Sequence, residues 1–251
     1  RRNTASVSDN LVEMKDNMDG PFGIVLSKLH AGSVLVGSDK GSLPYGGERP
    51  RHEVQISDRW ITTGLVNRGA WDSVMGAKSS GDDEFPVEGK SWEEIEIFIS
   101  KVSDASAELE GEWRLPSESE WLLAQKNLGI TVPVSHEELL SDHPHPNHRG
   151  APTDGRPRED TDARSMMRRY RISRKAHPKK VGISVKSQAP VKNGQIGMVF
   201  RLVFIPHQFA PEIVGDCKLV PDDVDVARLF KQEATIALFI GVIPSFAIPI
   251  I

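Results

Sequence analysis

Apolar and polar positions alternate along the chain in short blocks. From Ile24 to Val36 two apolar runs, GIVLSKL and GSVLVGS, are split by His30-Ala31-Gly32, which predicts two strands joined at a turn. A loop rich in Gly and Pro follows, DKGSLPYGGERPRHEV. Val54-Gln55-Ile56 then alternates as a short strand should, and Trp60-Ile61 continue its buried surface. The segment from Asn67 to Met75 predicts a helix. Asn67 caps it, Ala70, Trp71 and Val74 share one face, and Gly76 stops it.

Two further helices announce themselves through capping boxes, in which a hydroxyl takes the amide three residues on and a Glu reaches back. One is Ser91-Trp92-Glu93-Glu94, followed by the stripe Ile95, Phe98, Ile99 and Val102. The other is Ser117-Glu118-Ser119-Glu120, directly after Pro116, with Trp121, Leu122 and Ala124 carrying it to Gly129. Between about Pro133 and Lys192 the pattern dissolves into Pro, Gly and charge, which predicts long loops, with Gly182 to Val185 as a short strand. Val199 to Phe204 is a strong β-former run and the expected central strand. The predicted class is α+β: a few short helices among short strands, with long loops and no internal repeat.

Domain organisation follows from the same pattern. Residues 1 to 20 are polar, acidic and aperiodic and predict a linker. Residues 21 to 205 form one domain, 206 to 233 a connector, and 234 to 251 an uncharged run, ATIALFIGVIPSFAIPII. As a helix that run would reach about 27 Å, a little short of a hydrocarbon core of about 30 Å. It predicts the start of a transmembrane segment. A buried core helix or a pair of strands is the alternative, favoured by Pro244 and Pro249. Arg228 and Lys231 precede the run, which would put the globular part on the cytoplasmic side of a membrane.

Composition narrows the function. The net charge is −4, from a near-even mix of signs, so the chain as a whole is not expected to bind nucleic acid. Its one cysteine, Cys217, rules out an intrachain disulfide. All 5 tryptophans lie between Trp60 and Trp121, so that stretch is expected to carry the core.

The stretches GSVLVGS, GERPRHEVQIS, WDSVMG, FPVEGKSWEEIEIFI, GEWRLPSESEWLLA and FRLV occur in that order between about residues 24 and 204. Together they resemble the formylglycine-generating enzyme family, also called sulfatase-modifying factor domains. The resemblance implies an elaborated C-type-lectin-like fold. It also implies that the matched positions are scaffold rather than chemistry: Glu48, Pro50, His52, Trp71, Trp92, Arg114, Leu115, Pro116, Ser117, Glu120, Trp121, Phe200 and Arg201. Local physics agrees for the sharpest of these stretches. Pro116 fixes a turn, Ser117 caps a helix and Trp121 goes inward. Arg114 is expected to pair with a nearby carboxylate, Glu118 or Glu120, or with carbonyls. His52 is expected to fix its loop by a hydrogen bond, with contact to a ligand as the alternative.

The resemblance weakens where the family keeps its chemistry. Catalytic members oxidise a substrate cysteine with oxygen and bind copper(I) through two cysteines of their own, copper(I) being soft enough to want thiolates. A single cysteine after the FRLV stretch cannot supply that pair, so no catalytic residue and no copper site carries over. The family's calcium ligands lie in a stretch without a counterpart here, so no cofactor is expected. A weaker metal candidate is the cluster His143, His145 and His148 beside Asp142, whose imidazoles could take zinc or nickel; a solvated loop is the favoured alternative. Arg164, Arg168, Arg169, Arg171, Arg174, Lys175, Lys179 and Lys180 form a basic run, expected as a solvated face or else a contact with an anionic membrane surface. The expected function is a non-catalytic binding or scaffolding module with an unknown protein, peptide or glycan partner. An active sulfatase-modifying oxidase and a basic membrane-surface module are the alternatives.

Overall fold

The computed structural model describes residues 16–37, 49–76, 81–133, 136–143, 147–159, 197–210, 218–221, 230–231 and 234–242, and the backbone of 167–173 and 184–190. Strands β1 (Asn17–Asp19), β2 (Val25–Leu29), β3 (Gly32–Val36), β4 (His52–Ile56) and β5 (Arg59–Thr62) come first. Helices α1 (Arg68–Met75) and α2 (Trp92–Ala105) follow, then β6 (Gly111–Arg114) and α3 (Glu118–Leu128). The remaining strands are β7 (Glu137–Leu139), β8 (Met167–Ser173), β9 (Ser184–Pro190), β10 (Met198–Val199) and β11 (Val203–Pro206).

The central sheet has the order β1-β2-β5-β11-β6, antiparallel throughout. Period-two alternation divides its side chains between two cores. Leu26, Trp60, Trp113 and Phe204 face one, with α1 and α2 closing over them through Trp71, Val74, Ile95, Phe98 and Val102. Leu29, Ile61, Val203 and Ile205 face the other, filled by Trp121, Leu123 and Ala124 of α3 and by Val36, Val54 and Ile56 of the β3–β4 ribbon. In the first core Trp71 stacks on Phe98 at 5.0 Å between centroids, and Phe200 meets both edge-on at 6.1 and 5.8 Å. Such arrangements suit the aromatic quadrupole.

The caps form as their sequences dictate. Asn67 Oδ1 accepts the Ala70 amide, and both capping boxes, at Ser91 with Glu94 and at Ser117 with Glu120, are complete. Gly76 and Gly129 take left-handed backbone at the ends of α1 and α3.

Three expectations are corrected. The stretch from Pro133 to Lys192, expected as loops, contains β7 and the β8–β9 hairpin, which join β10 in a second sheet of order β10-β7-β8-β9. The short strand expected at Gly182 to Val185 runs from Ser184 to Pro190. Arginines interleaved with Met167, Tyr170 and Ile172 hide β8 from a search for apolar runs. The strand expected from Val199 to Phe204 is likewise divided. Residues Phe200–Leu202 interrupt it so that Phe200 enters the first core and Arg201 reaches a buried carboxylate on β7.

Among the described residues no helix is long and apolar enough to cross a membrane, and residues 243–251 of the run expected to begin a span lie outside them. Residues 234–242 are helical, with a π-helical stretch at Ala237–Val242 that leaves Phe239 and Ile240 exposed.

Truncating Phe98 to Ala removes a ring packed on two others and is expected to cost about 3–5 kcal/mol of unfolding free energy, against about 1 kcal/mol for Ser91→Ala, which removes one cap. Urea denaturation of the two variants measures both. Equal costs would contradict the stacked aromatic core.

Candidate functional site

The residues that look most chemical in sequence are used to pin the sheet. Glu120 is fully buried, and its carboxylate is shared by two guanidinium groups. Arg114 donates to it bidentately, Nη1 to Oε2 at 2.7 Å and Nη2 to Oε1 at 2.8 Å, while Arg59 Nη1 donates to Oε1 from β5. The Ser117 amide adds a bond to Oε2 at 2.6 Å. Burial alone would raise the Glu120 pKa; Arg114 and Arg59 outweigh it and hold the carboxyl down to about 2. Arg114 is raised in turn: burial opposes its charge, and Glu120 more than compensates. Of the two partners expected for Arg114, Glu120 is the one used.

A second buried pair ties the two sheets. Arg201 Nη2 donates to Glu138 Oε2 at 3.0 Å and Nε donates to Oε1, and further bonds run to the carbonyls of Thr63 at 2.7 Å and Thr131 at 3.0 Å. Glu138 carried no sequence signal, because its partner lies 63 positions away. Several of the positions named from the resemblance are buried. Trp71, Leu115, Trp121 and Phe200 are buried in the cores, and Trp92 packs against one of them. Glu48 lies outside the described residues.

Two histidines of the candidate cluster, His143 and His148, are among the described residues. His143 and His148 are buried at 8% and 1% exposure, which corrects the solvated loop expected for them. They also face different spaces. His148 meets His52 edge-on at 5.3 Å, beside a nook of about 30 Å³ lined also by Asp142 and Glu118. A cavity of that size holds one water molecule. Asp142 closes the nook, accepting the Glu118 amide at 2.7 Å and the Arg158 amide at 2.8 Å, so it serves the N-terminus of α3. His143 instead lines a large groove on the other side of this loop. His145 lies outside the described residues, as does Cys217. Among the described residues no group of three His, Cys, Asp or Glu side chains could hold a metal ion. His52 Nδ1 donates to the Pro50 carbonyl at 3.1 Å.

The groove, of about 1080 Å³, has no counterpart among the sequence motifs. One wall is the outer face of α2, at Trp92, Glu96, Ile99, Ser100, Ser103 and Asp104. Its floor is β6 and Leu115, and its far wall is the loop bearing Ser141, His143, Arg156 and Glu159. Because β6 is the last strand of the central sheet, one of its edges is left to this space. Gly111 stands where β6 passes closest to the sheet: a Cβ there would lie 2.4 Å from the Phe204 ring. Glu96, Asp104, Glu112 and Glu159 are among the described residues that line the groove; Arg114 is engaged by Glu120 and Glu112, and Arg156 by Asp154. Among the described residues, four acidic side chains thus line an open space.

Among solved structures the fold is similar to that of PvdO from Pseudomonas aeruginosa, with a TM-score of 0.59 and 15% identity over 75% of this chain and 97% of that one. It is also similar to Treponema denticola variable protein 1, with a TM-score of 0.54 and 15% identity over 76% and 99% of the two chains. At that identity the likeness is one of fold. No family model matches the chain. No curated protein matches it either.

A carboxyl whose pKa is lowered on folding adds stability above its unfolded value, and that stability is lost as pH falls toward the folded value. For Glu120 the window runs from about 4.5 down to about 2. Glu120→Gln leaves two buried guanidinium groups without their counter-charge and is expected to cost about 3–5 kcal/mol at neutral pH. The gap from the parent protein should narrow as pH falls through that window. Melting temperatures of both proteins between pH 7 and pH 2 measure it; a gap independent of pH would contradict the role given to Glu120.

Proposed function

We propose that the chain is a non-catalytic, formylglycine-generating-enzyme-like binding module with a C-type-lectin-like fold, and that its ligand lies in the groove along β6. The observation that carries this is the groove itself: a sheet edge, a helix face and a loop converge on one open space of about 1080 Å³. Clefts of this size with a few placed polar groups are the common form of a binding site. The order of the six matched stretches supports the family likeness. The single cysteine of the chain speaks against oxidase chemistry, which asks for two thiolates on copper(I). The scaffold residues in the matched stretches are spent on packing and buried ion pairs, which leaves surface loops and edges to recognise a ligand.

Two measurements test this. The chain, incubated with a Cys-x-Pro-x-Arg peptide, oxygen and copper(I), should leave the peptide thiol unchanged by mass spectrometry; conversion to an aldehyde would overturn the non-catalytic assignment. Saturation-transfer NMR against sets of short peptides and glycans should give ligands whose signal is lost in Ser100→Trp, a substitution on the exposed face of α2 that fills the groove. Ligands indifferent to that substitution would place binding elsewhere.

A further inference from the structure

The backbone along β6 narrows the ligand class. In an antiparallel pair, residues alternate between positions that exchange backbone hydrogen bonds and positions that do not. The register sets Arg114 opposite Val203, Trp113 opposite Phe204, Glu112 opposite Ile205 and Gly111 opposite Pro206. The His207 amide donates to the Glu110 carbonyl at 3.0 Å, which fixes the phase. Glu112 and Arg114 therefore bond inward to β11, and Gly111 and Trp113 turn their N–H and C=O groups away from it. Pro206, which has no N–H, sits opposite Gly111, where none is needed. The other side of β11 agrees: the Thr62 amide donates to Leu202 at 2.9 Å, so Phe204 spends its backbone on Trp60 of β5. No described residue hydrogen-bonds to the outward backbone of Gly111 or Trp113.

Two residues with outward amides and carbonyls, on an edge that floors a groove, form a template for one more strand. The wall supplied by α2 sets the character of that strand. Glu96 and Asp104 lie eight residues apart, about 12 Å along the helix axis. Positions four residues apart in a strand span about 13 Å and point to the same face. Glu159 adds negative charge to the lining, whereas Glu112 is paired with Arg114 at 3.5 Å. We propose that the groove binds an extended peptide segment of a partner protein, which pairs with Gly111 and Trp113 as a sixth strand of the central sheet. Lysines or arginines four positions apart on one face of that segment face Glu96 and Asp104. The inference rests on the binding-module reading of the same groove and gives it a ligand class.

The test uses the full chain and a fluorescent peptide of alternating Lys and Val, followed by anisotropy. Three companions carry Glu in place of Lys, N-methyl groups on every Lys, or N-methyl groups on every Val. Only one set of amides can face β6, so one N-methylated peptide should bind at least about tenfold more weakly, the other should stay near the parent, and the Glu peptide should fail. Glu96→Lys with Asp104→Lys, both exposed on α2, should weaken the parent peptide by about tenfold or more while circular dichroism stays unchanged. Absence of binding, equal binding by both N-methylated peptides, or indifference to the double substitution would overturn the proposal. If the Lys peptide fails while another ligand is blocked by Ser100→Trp, the binding module stands and the basic strand falls. If no ligand of any class responds to Ser100→Trp, both fall.

Discussion

One buried carboxylate holds the geometry on which the rest depends. Glu120, at the start of α3, gathers Arg59 from β5 and Arg114 from β6, the strands on either side of β11. Neither guanidinium could be buried without it, and the carboxylate could not be buried without them. The contact also fixes the turn at Pro116, because the Ser117 amide shares the same oxygen as Arg114. It thereby sets where α3 lies on one face of the sheet and where β6 ends. Two cores can then fill independently, aromatic on the side of α1 and α2, largely aliphatic around Trp121 on the other.

That division of labour explains why the densest stretch of the sequence is not a site of chemistry. GEWRLPSESEWLLA spends Arg114, Ser117 and Glu120 on a corner and Trp113 and Trp121 on two different cores. What it leaves over is backbone. The alternation that sends Glu112 and Arg114 inward to β11 sends Gly111 and Trp113 outward, into a groove lined in part by Glu96, Asp104 and Glu159. The same strand is scaffold through its side chains and a candidate recognition surface through its main chain.

Local features of the fold were legible in the sequence because their signals are local. The caps at Asn67, Ser91 and Ser117, the left-handed glycines at 76 and 129, and the apolar stripe of α2 all act within a few residues. Long-range pairings were not. Arg59 meets Glu120 across 61 positions and Arg201 meets Glu138 across 63, and no spacing rule reaches so far. His143 and His148 are close in sequence, yet one lines the groove and the other the small nook beside His52. Strand β8 escaped because its arginines mask the β-formers between them. The groove has no motif because three separate elements make it.

The claim that most of this account depends on is that β6 keeps a free edge. Amide hydrogen exchange of the uncomplexed chain, read residue by residue by NMR, tests it directly. Glu112 and Arg114, bonded into the sheet, should exchange slowly, and Gly111 and Trp113 faster by orders of magnitude. Uniform protection along Gly111–Arg114 would mean that the edge is already covered, and would contradict the groove as a place for another strand.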